Sequence, residues 1–426
     1  MGSIVIIGGG WAGCAAAITS RKLGASVTLL ERTDMLLGTG LVGGIMRNNG
    51  RWTATEETIA MGGGAVFRII DNTCRFNNIK FPGQENVSIY DLNKIEPKIR
   101  KFMTGLGINI KLESRVTDVN LRRKEIESVV LNGDEKKTLK GDIFIEATGS
   151  AGPFNICNSY GNGCVMCILR CHTFGGRVSV AQRAGVKEVD ALGSKDSIGA
   201  MSGSCLVSKD SLSKNVVCKL NEKGVLIVKI PEELRVGGQS GVKACPQYTG
   251  KEFIESLIVL DVGYAKLMVP FFPLSSLRKI PGFEKARYID PLGGTKGNSI
   301  RYASISPREN TLKVRGIENL FCAGEKTGPI AGHTEAIITG ILGGYNATRL
   351  SKGKGLLSLP KESLIGDFIS FVNEQMSTEE GLKKRYTFSG SVYFNRMKEI
   401  GFYITDRTVI RQRVKKMSFQ DAFLNL

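Results

Sequence analysis

Residues 2–32 read GSIVIIGGGWAGCAAAITSRKLGASVTLLER. Ser3 to Ile7 is a short run of Ile and Val, the texture of a strand buried in a parallel sheet. Gly8-Gly9-Gly10-Trp11-Ala12-Gly13 has the spacing G-x-G-x-x-G. Ala12 to Leu23 is Ala-rich and free of Pro, which predicts a helix. Gly24 ends it, and Ser26 to Leu30 predicts the next strand. Each glycine of the turn has a physical reason. Gly8 permits the tight turn, Gly10 lets the backbone come close to a pyrophosphate, and Gly13 lets helix and strand pack closely. The phosphate charge then meets the free N–H groups and partial positive charge of a helix N-terminus. Glu31 closes the second strand, where an acid takes ribose hydroxyls. One G-x-G-x-x-G is a weak signal. Strand, glycines, helix, strand and acid in this order point to a bound dinucleotide.

Two further landmarks lie downstream. Asp142 to Glu146 predicts a strand that closes in Ala147-Thr148-Gly149, a turn with room for the adenine-side phosphate. Glu318 to Glu325 reads as a strand ending at Gly324, followed by KTGPIAGHTEAIITGILGGYNATRL, in which Thr334 to Asn346 predicts a helix. That helix N-terminus is expected at the N1–C2 edge of a flavin, where reduction places negative charge. The three landmarks in this order favour FAD over NAD. The candidate cofactor-binding residues are Gly8, Gly10, Trp11, Ala12, Gly13, Glu31, Arg32 and Gly40 from the first part of the chain. Ala147, Thr148, Gly149, Gly324, Glu325, Gly332, His333 and Thr334 complete the set.

Between Arg32 and Gly64 the glycines at 38, 40, 43, 44 and 62–64 predict a loop-rich segment able to approach a flat ligand, with Arg47, Asn48, Asn49 and Arg51 as its polar groups. Tyr90 to Leu106 predicts a helix that Pro97 could break. Residues 108–133 alternate apolar and polar and end at Asn132-Gly133-Asp134, the pattern of a β-meander inserted in the nucleotide domain. Textures divide the chain into residues 1–150, the first part of an FAD-binding domain, and 151–290, an inserted mixed α/β substrate domain. Residues 291–350 then form the second part of the FAD domain, and 351–426 a helical, basic C-terminal region. The fold class is α/β, a glutathione-reductase-like, Rossmann-type FAD domain with that insertion and a small helical tail.

The chain has 426 residues, enough for two or three domains and a large core. No stretch approaches the roughly 20 apolar residues of a membrane span. The N-terminal apolar run is five residues long without a basic n-region, so a strand is expected rather than a signal peptide, and the protein is expected to be cytoplasmic. A net charge of +18 suggests a polyanion, RNA first. General basicity is an equal reading, since the lysines and arginines are spread along the chain. The tail from Thr378 to Leu426 is either a solvated helical face or an RNA or partner surface.

Ten cysteines in a cytosolic chain of this size do not make a disulfide framework. Four are crowded: Cys157, Cys164, Cys167 and Cys171. Three readings stand. All four thiolates could hold an iron–sulfur cluster. Cys164 and Cys167, at C-x-x-C spacing, could exchange electrons with the flavin, with Arg170 and His172 lowering a thiolate pKa, or one Cys could be a nucleophile. They could also be structural. Cys164, Cys167, Cys171 and Arg170 are the candidate catalytic residues.

LFCAGEKTGPIAGHTEAIITGILGGYNATR resembles the C-terminal flavin motif of the glucose-inhibited division protein A family, and equally that of the related folate- and FAD-dependent tRNA uridine methyltransferases. LPKESLIGDFISFV resembles the segment that follows it in the methyltransferases, and ILRCHTFGGRVSV stands where that superfamily has a Lys/Arg-Thr-Gly-Thr-type turn. The resemblance implies FAD, reduction by NADH or NADPH as small-molecule reductant, and a folate-linked one-carbon transfer to RNA. The methyltransferases carry Cys-Ser-Asn-Ser after the first βαβ unit. Thr39 to Asn49 hold no Cys here, so Cys164, Cys167 or Cys171 would supply any thiol. The leading expectation is an FAD-dependent oxidoreductase related to RNA-modifying enzymes. The alternatives are a small-molecule oxidoreductase relaying electrons through the cysteines, and a non-catalytic flavoprotein binding RNA or a partner.

Overall fold

The computed structural model describes residues 2–133, 137–149, 171–191, 200–201, 204–235, 246–248, 250–269, 272–289, 300–301 and 304–426. A five-stranded parallel sheet organises them. Its strands are β1 (Ser3–Ile7), β2 (Ser26–Leu30), β3 (Asn109–Lys111), β4 (Ile143–Glu146) and β5 (Leu320–Cys322), in the order β5-β4-β1-β2-β3. β1 is central and pairs in register with both β4, Ile4 opposite Ile143, and β2, Ser3 opposite Ser26. Because side chains alternate across a strand, Ile4 and Ile6 enter one apolar cluster and Val5 and Ile7 another. Both faces of β1 are thus covered, which is why its sequence is an unbroken apolar run.

On the first face lie helices α1 (Trp11–Lys22) and α2 (His333–Ser351). They approach closely because α2 carries glycines where it meets α1. A Cβ on Gly340 would sit 2.2 Å from the Ala12 carbonyl oxygen, and one on Gly344 2.5 Å from that of Ala16. On the second face, Val116 and Val129 pack from a small antiparallel sheet of Val116–Arg122, Glu125–Leu131 and Thr138–Lys140. The predicted meander therefore differs in one respect. Its first apolar stretch is β3 of the parallel sheet, and the three-stranded sheet begins only at Val116.

Residues 205–267 contribute a four-stranded antiparallel sheet of Cys205–Val207, Ala265–Leu267, Ser256–Asp261 and Val225–Lys229. The helix Lys214–Lys223 accompanies it, capped by Ser213 and ended by Gly224 in the left-handed region. Alternation again decides the packing. Leu257 and Val259 join a separate core with Leu220 and Phe283, while Ile258 and Leu260 join the core beneath the main sheet.

After α2, the helices Leu364–Gln375, Ser391–Glu399 and Arg407–Lys416 fold back onto that main core through Phe368, Tyr393, Met397 and Val414. The segment read as loop between Arg32 and Gly64 needs correction. Gly50–Ala60 is a helix. Its Glu57 is fully buried and accepts from the backbone N–H groups of Leu364 and Ile365 and from Arg413. Pro97 lies within the helix Leu92–Gly105 without ending it, and α2 runs on through Ser351 rather than stopping at Asn346.

Candidate functional site

A cavity of about 310 Å³ opens where the N-termini of α1 and α2 face the C-terminal ends of β1 and β4. The Gly-rich turn forms its first wall. Gly8 has φ +105°, and a Cβ there would lie 2.3 Å from the Ala147 carbonyl oxygen. A Cβ on Gly13 would lie 1.8 Å from the Gly8 carbonyl oxygen, so the helix starts against the strand it follows. Gly10 is different: among the described residues a Cβ there meets nothing within 4 Å, and the residue lines the cavity in front of α1. This is the surface a pyrophosphate requires, an uncapped helix N-terminus reached over bare backbone.

The Glu31 carboxylate, almost wholly buried, accepts from the Gly9 N–H at 2.7 Å and from the Thr33 N–H and hydroxyl at 2.8 and 2.9 Å. It stiffens the turn and still lines the cavity. Gly149 continues the wall, with its carbonyl held by Arg177 Nη1 at 2.8 Å. Arg177, which lines the cavity too, was not singled out from the sequence. Its signal was present, a basic residue in GGRVSV just past the cysteine cluster.

Of the sixteen residues predicted to contact a cofactor, the cavity brings together Gly8, Gly10, Trp11, Ala12, Glu31, Arg32, Ala147, Thr148, Gly149, Gly324, Glu325, Gly332 and His333. Three do not line it. Gly13 serves packing. Gly40 lies against the Trp11 indole, where a Cβ would be 2.4 Å from Nε1, and its carbonyl accepts from Tyr90. Thr334 is buried with its hydroxyl toward Met46 Sδ. Arg47, Asn48, Asn49 and Arg51 also stand away from the cavity wall. Arg47 pairs with Glu56 and Asp71. Arg51 pairs with Glu335 at 3.1 Å and donates to Thr387 at 3.0 Å, joining the start of the helix Gly50–Ala60 to α2 and to the segment that precedes the helix Ser391–Glu399.

Cys157, Cys164, Cys167 and Arg170 lie outside the described residues, and Cys171 begins a short helical turn, Cys171–Phe174. Among the described residues no cluster of His, Cys, Asp and Glu is arranged to hold a metal. Nor is there among them a helix long and apolar enough to cross a membrane. Burial pushes the thiols of Cys74 and Cys322 up to about 12. Neither is a thiolate at neutral pH, so these two are packing residues.

The model of the glucose inhibited division protein A family matches residues 3–226 and 268–355. The chain belongs to this family. A methylenetetrahydrofolate–tRNA-(uracil-5-)-methyltransferase (TrmFO) of Prochlorococcus marinus strain MIT 9215 is 34% identical over 134 residues, 32% of this chain and 28% of that protein. A tRNA uridine 5-carboxymethylaminomethyl modification enzyme (MnmG) of Chlorobaculum tepidum is 30% identical over 131 residues, 30% of this chain and 20% of that one. The likeness thus spans less than a third of either curated relative. The crystal structure of Aquifex aeolicus GidA (form II) superposes with a TM-score of 0.70 at 17% identity, over 100% of this chain and 74% of that one. That likeness shows the fold, mixed α/β around a Rossmann-type parallel sheet with helices at the C-terminus.

Proposed function

We propose that the protein is an FAD-dependent enzyme that modifies C5 of a uridine in tRNA, in the cytoplasm. The cavity carries the reading. It offers two helix N-termini, one reached over bare glycine backbone, and an acid at the end of β2. The Trp11 indole is buried at its edge. These features fit a negatively charged dinucleotide with a polar heterocycle. The two relatives act at the same position of the same base, by their names, which is the source of the substrate class.

In this reading Gly8 and Gly10 clear the pyrophosphate, which the α1 N-terminus neutralises. Glu31 takes ribose hydroxyls, Arg32 and Ala147 to Gly149 flank the adenosine side, and the α2 N-terminus faces the flavin ring. FAD supplies hydride or one-carbon chemistry when bound, with NADH or NADPH and a folate as small-molecule partners. Cys164, Cys167 or Cys171, with Arg170, would supply a thiol. The exposed basic residues Arg407, Arg411, Lys415 and Lys416 on the last long helix fit an RNA backbone.

The test is direct. Protein loaded with FAD and given unmodified tRNA, methylenetetrahydrofolate and NADPH is expected to yield a C5-substituted uridine by mass spectrometry of the digested RNA. Failure to take up FAD overturns the reading. Iron in anaerobically purified protein, with FAD bound and the RNA unchanged, would favour the electron-relay alternative.

A further inference from the structure

We propose that Glu146 is the positioning residue of this cavity: a buried carboxylate, with Lys326 as counter-ion, that clamps together the stretches Ala147 to Gly149 and Arg177 to Val178 of its adenosine-side wall. The inference rests on the cavity being a dinucleotide site. That wall is built from these two stretches and Gly324, far apart in sequence. Glu146 is tied to each. Its Oε1 accepts from the Thr148 hydroxyl at 2.9 Å and from the Val180 N–H, two residues past Val178, at 3.0 Å. Its Oε2 accepts from the Ala181 N–H at 2.8 Å. Its backbone carbonyl accepts from the N–H of Ala323, just before Gly324, at 2.9 Å. Arg177 Nη1 on the Gly149 carbonyl is a second tie between the same two stretches.

A carboxylate is not what this place in the sheet asks for. Alternation along β4 puts Phe144 and Glu146 on the face where Val180, Ala181 and Cys322 join an apolar cluster. A charged group there is costly unless it is paired and hydrogen-bonded. The Lys326 ammonium, 3.5 Å from Glu146, supplies the pairing, and it is held in turn by Glu188 and by the Ser179 hydroxyl at 3.1 Å. The side chains of Glu146, Lys326 and Glu188 are all fully withdrawn from solvent. Burial raises the Glu188 carboxyl, but Lys326 and the hydroxyls of Ser304 and Ser306 outweigh it and hold the group below the usual range. A buried ion pair adds little net stability over well-packed apolar residues of similar volume. What this one adds is geometry, because donors from two wall stretches converge on one carboxylate. Glu188 differs in this respect: it reaches Lys326, Ser304 and Ser306, none of which lines the cavity.

Glu146→Gln and Glu188→Gln form a matched pair. Each removes one negative charge from the same buried cluster and leaves Lys326 one carboxylate, but only Glu146→Gln unties the wall. ADP, the adenosine-pyrophosphate half of the dinucleotide, is the probe, titrated by calorimetry beside FAD and well below the Tm of each variant. Glu146→Gln is expected to weaken both ligands at least about tenfold, and Glu188→Gln to stay within about twofold of the native chain. In the nucleotide-free protein, hydrogen exchange at residues 148–149 and 177–181 is expected to quicken in Glu146→Gln and not in Glu188→Gln, with residues 4–7 still protected in both. If Glu146→Gln does not fold, Glu146→Asp, which keeps the charge and shortens the reach, takes its place with the same expected losses. Equal affinities in the two variants, or unchanged exchange at the wall, overturn the proposal and leave the dinucleotide site standing. Native protein that takes up neither FAD nor ADP overturns the functional reading instead, and the exchange pattern alone then decides the role of Glu146.

Discussion

The turn Gly8–Gly13 and the junction around Glu335 meet the same cavity region by opposite means. The turn is made of backbone. Its geometry follows from glycines at four of six consecutive positions, a pattern visible in the bare sequence. The junction is made of side chains from four distant stretches. Arg51, Glu335 and Thr387 form a buried network, Phe388 adds its backbone N–H to Glu335, and Tyr90 and His333 stand beside it. The first region should therefore govern ligand binding position by position, and the second should govern whether the C-terminal helices stay docked.

Glu335→Ala gives the largest expected effect. It strands the Arg51 guanidinium, 5% exposed, without its carboxylate. Removing one member of a buried ion pair costs about 3–5 kcal/mol. Urea unfolding should show that loss, with early loss of hydrogen-exchange protection in residues 387–399. A change of under about 1 kcal/mol would mean that the network is not what docks the tail. Gly13→Ala comes next, because the new methyl collides with the Gly8 carbonyl; overpacking of this kind costs about 1–3 kcal/mol. It should lower Tm and flavin affinity together.

Two smaller effects mark the edges of the comparison. Asp142 accepts from the Ser3 N–H and hydroxyl, and these hydrogen bonds hold its carboxyl below the usual range. A depressed carboxylate adds stability above its unfolded pKa, and that stability is lost as pH falls through the folded value. Asp142→Asn should flatten that acid limb in pH-dependent unfolding, by lowering stability slightly at neutral pH and leaving it unchanged in acid. A double Arg411→Ala, Lys416→Ala change, on exposed positions of the last long helix, should alter stability by less than about 0.5 kcal/mol. If the helix binds tRNA, the slope of log affinity against log salt should fall by about one for each phosphate the helix no longer neutralises.

Much of the frame was legible because it rests on local rules. β1, the turn, α1 and β2 follow from apolar runs and glycine spacing, and Ala147–Gly149 and Gly324–His333 from strands that end in glycine. What the sequence hid is tertiary. Gly50–Ala60 looked like loop because Gly-rich stretches flank it and its Thr residues are poor helix formers. Tertiary burial outweighs them: Glu57 is pinned by Leu364, Ile365 and Arg413, more than three hundred residues away. Arg47 and Arg51 read as ligand groups by position, yet carboxylates from elsewhere in the chain claim both. Tyr90 read as the start of a helix. It ends a strand instead, and Asp91 caps the helix through the Asn93 N–H.

Gly10 tests the central claim most directly, because it separates binding from folding. Its Cβ would meet no atom of the described residues within 4 Å, and its φ of −66° suits any residue, so Gly10→Ala should fold with an unchanged Tm. The methyl enters only the space assigned to the pyrophosphate. FAD titration followed by flavin fluorescence should show tight binding to the native chain and at least about tenfold weaker binding to the variant, a difference of about 1.4 kcal/mol. Equal affinity in both proteins, or no binding to either, would contradict the account.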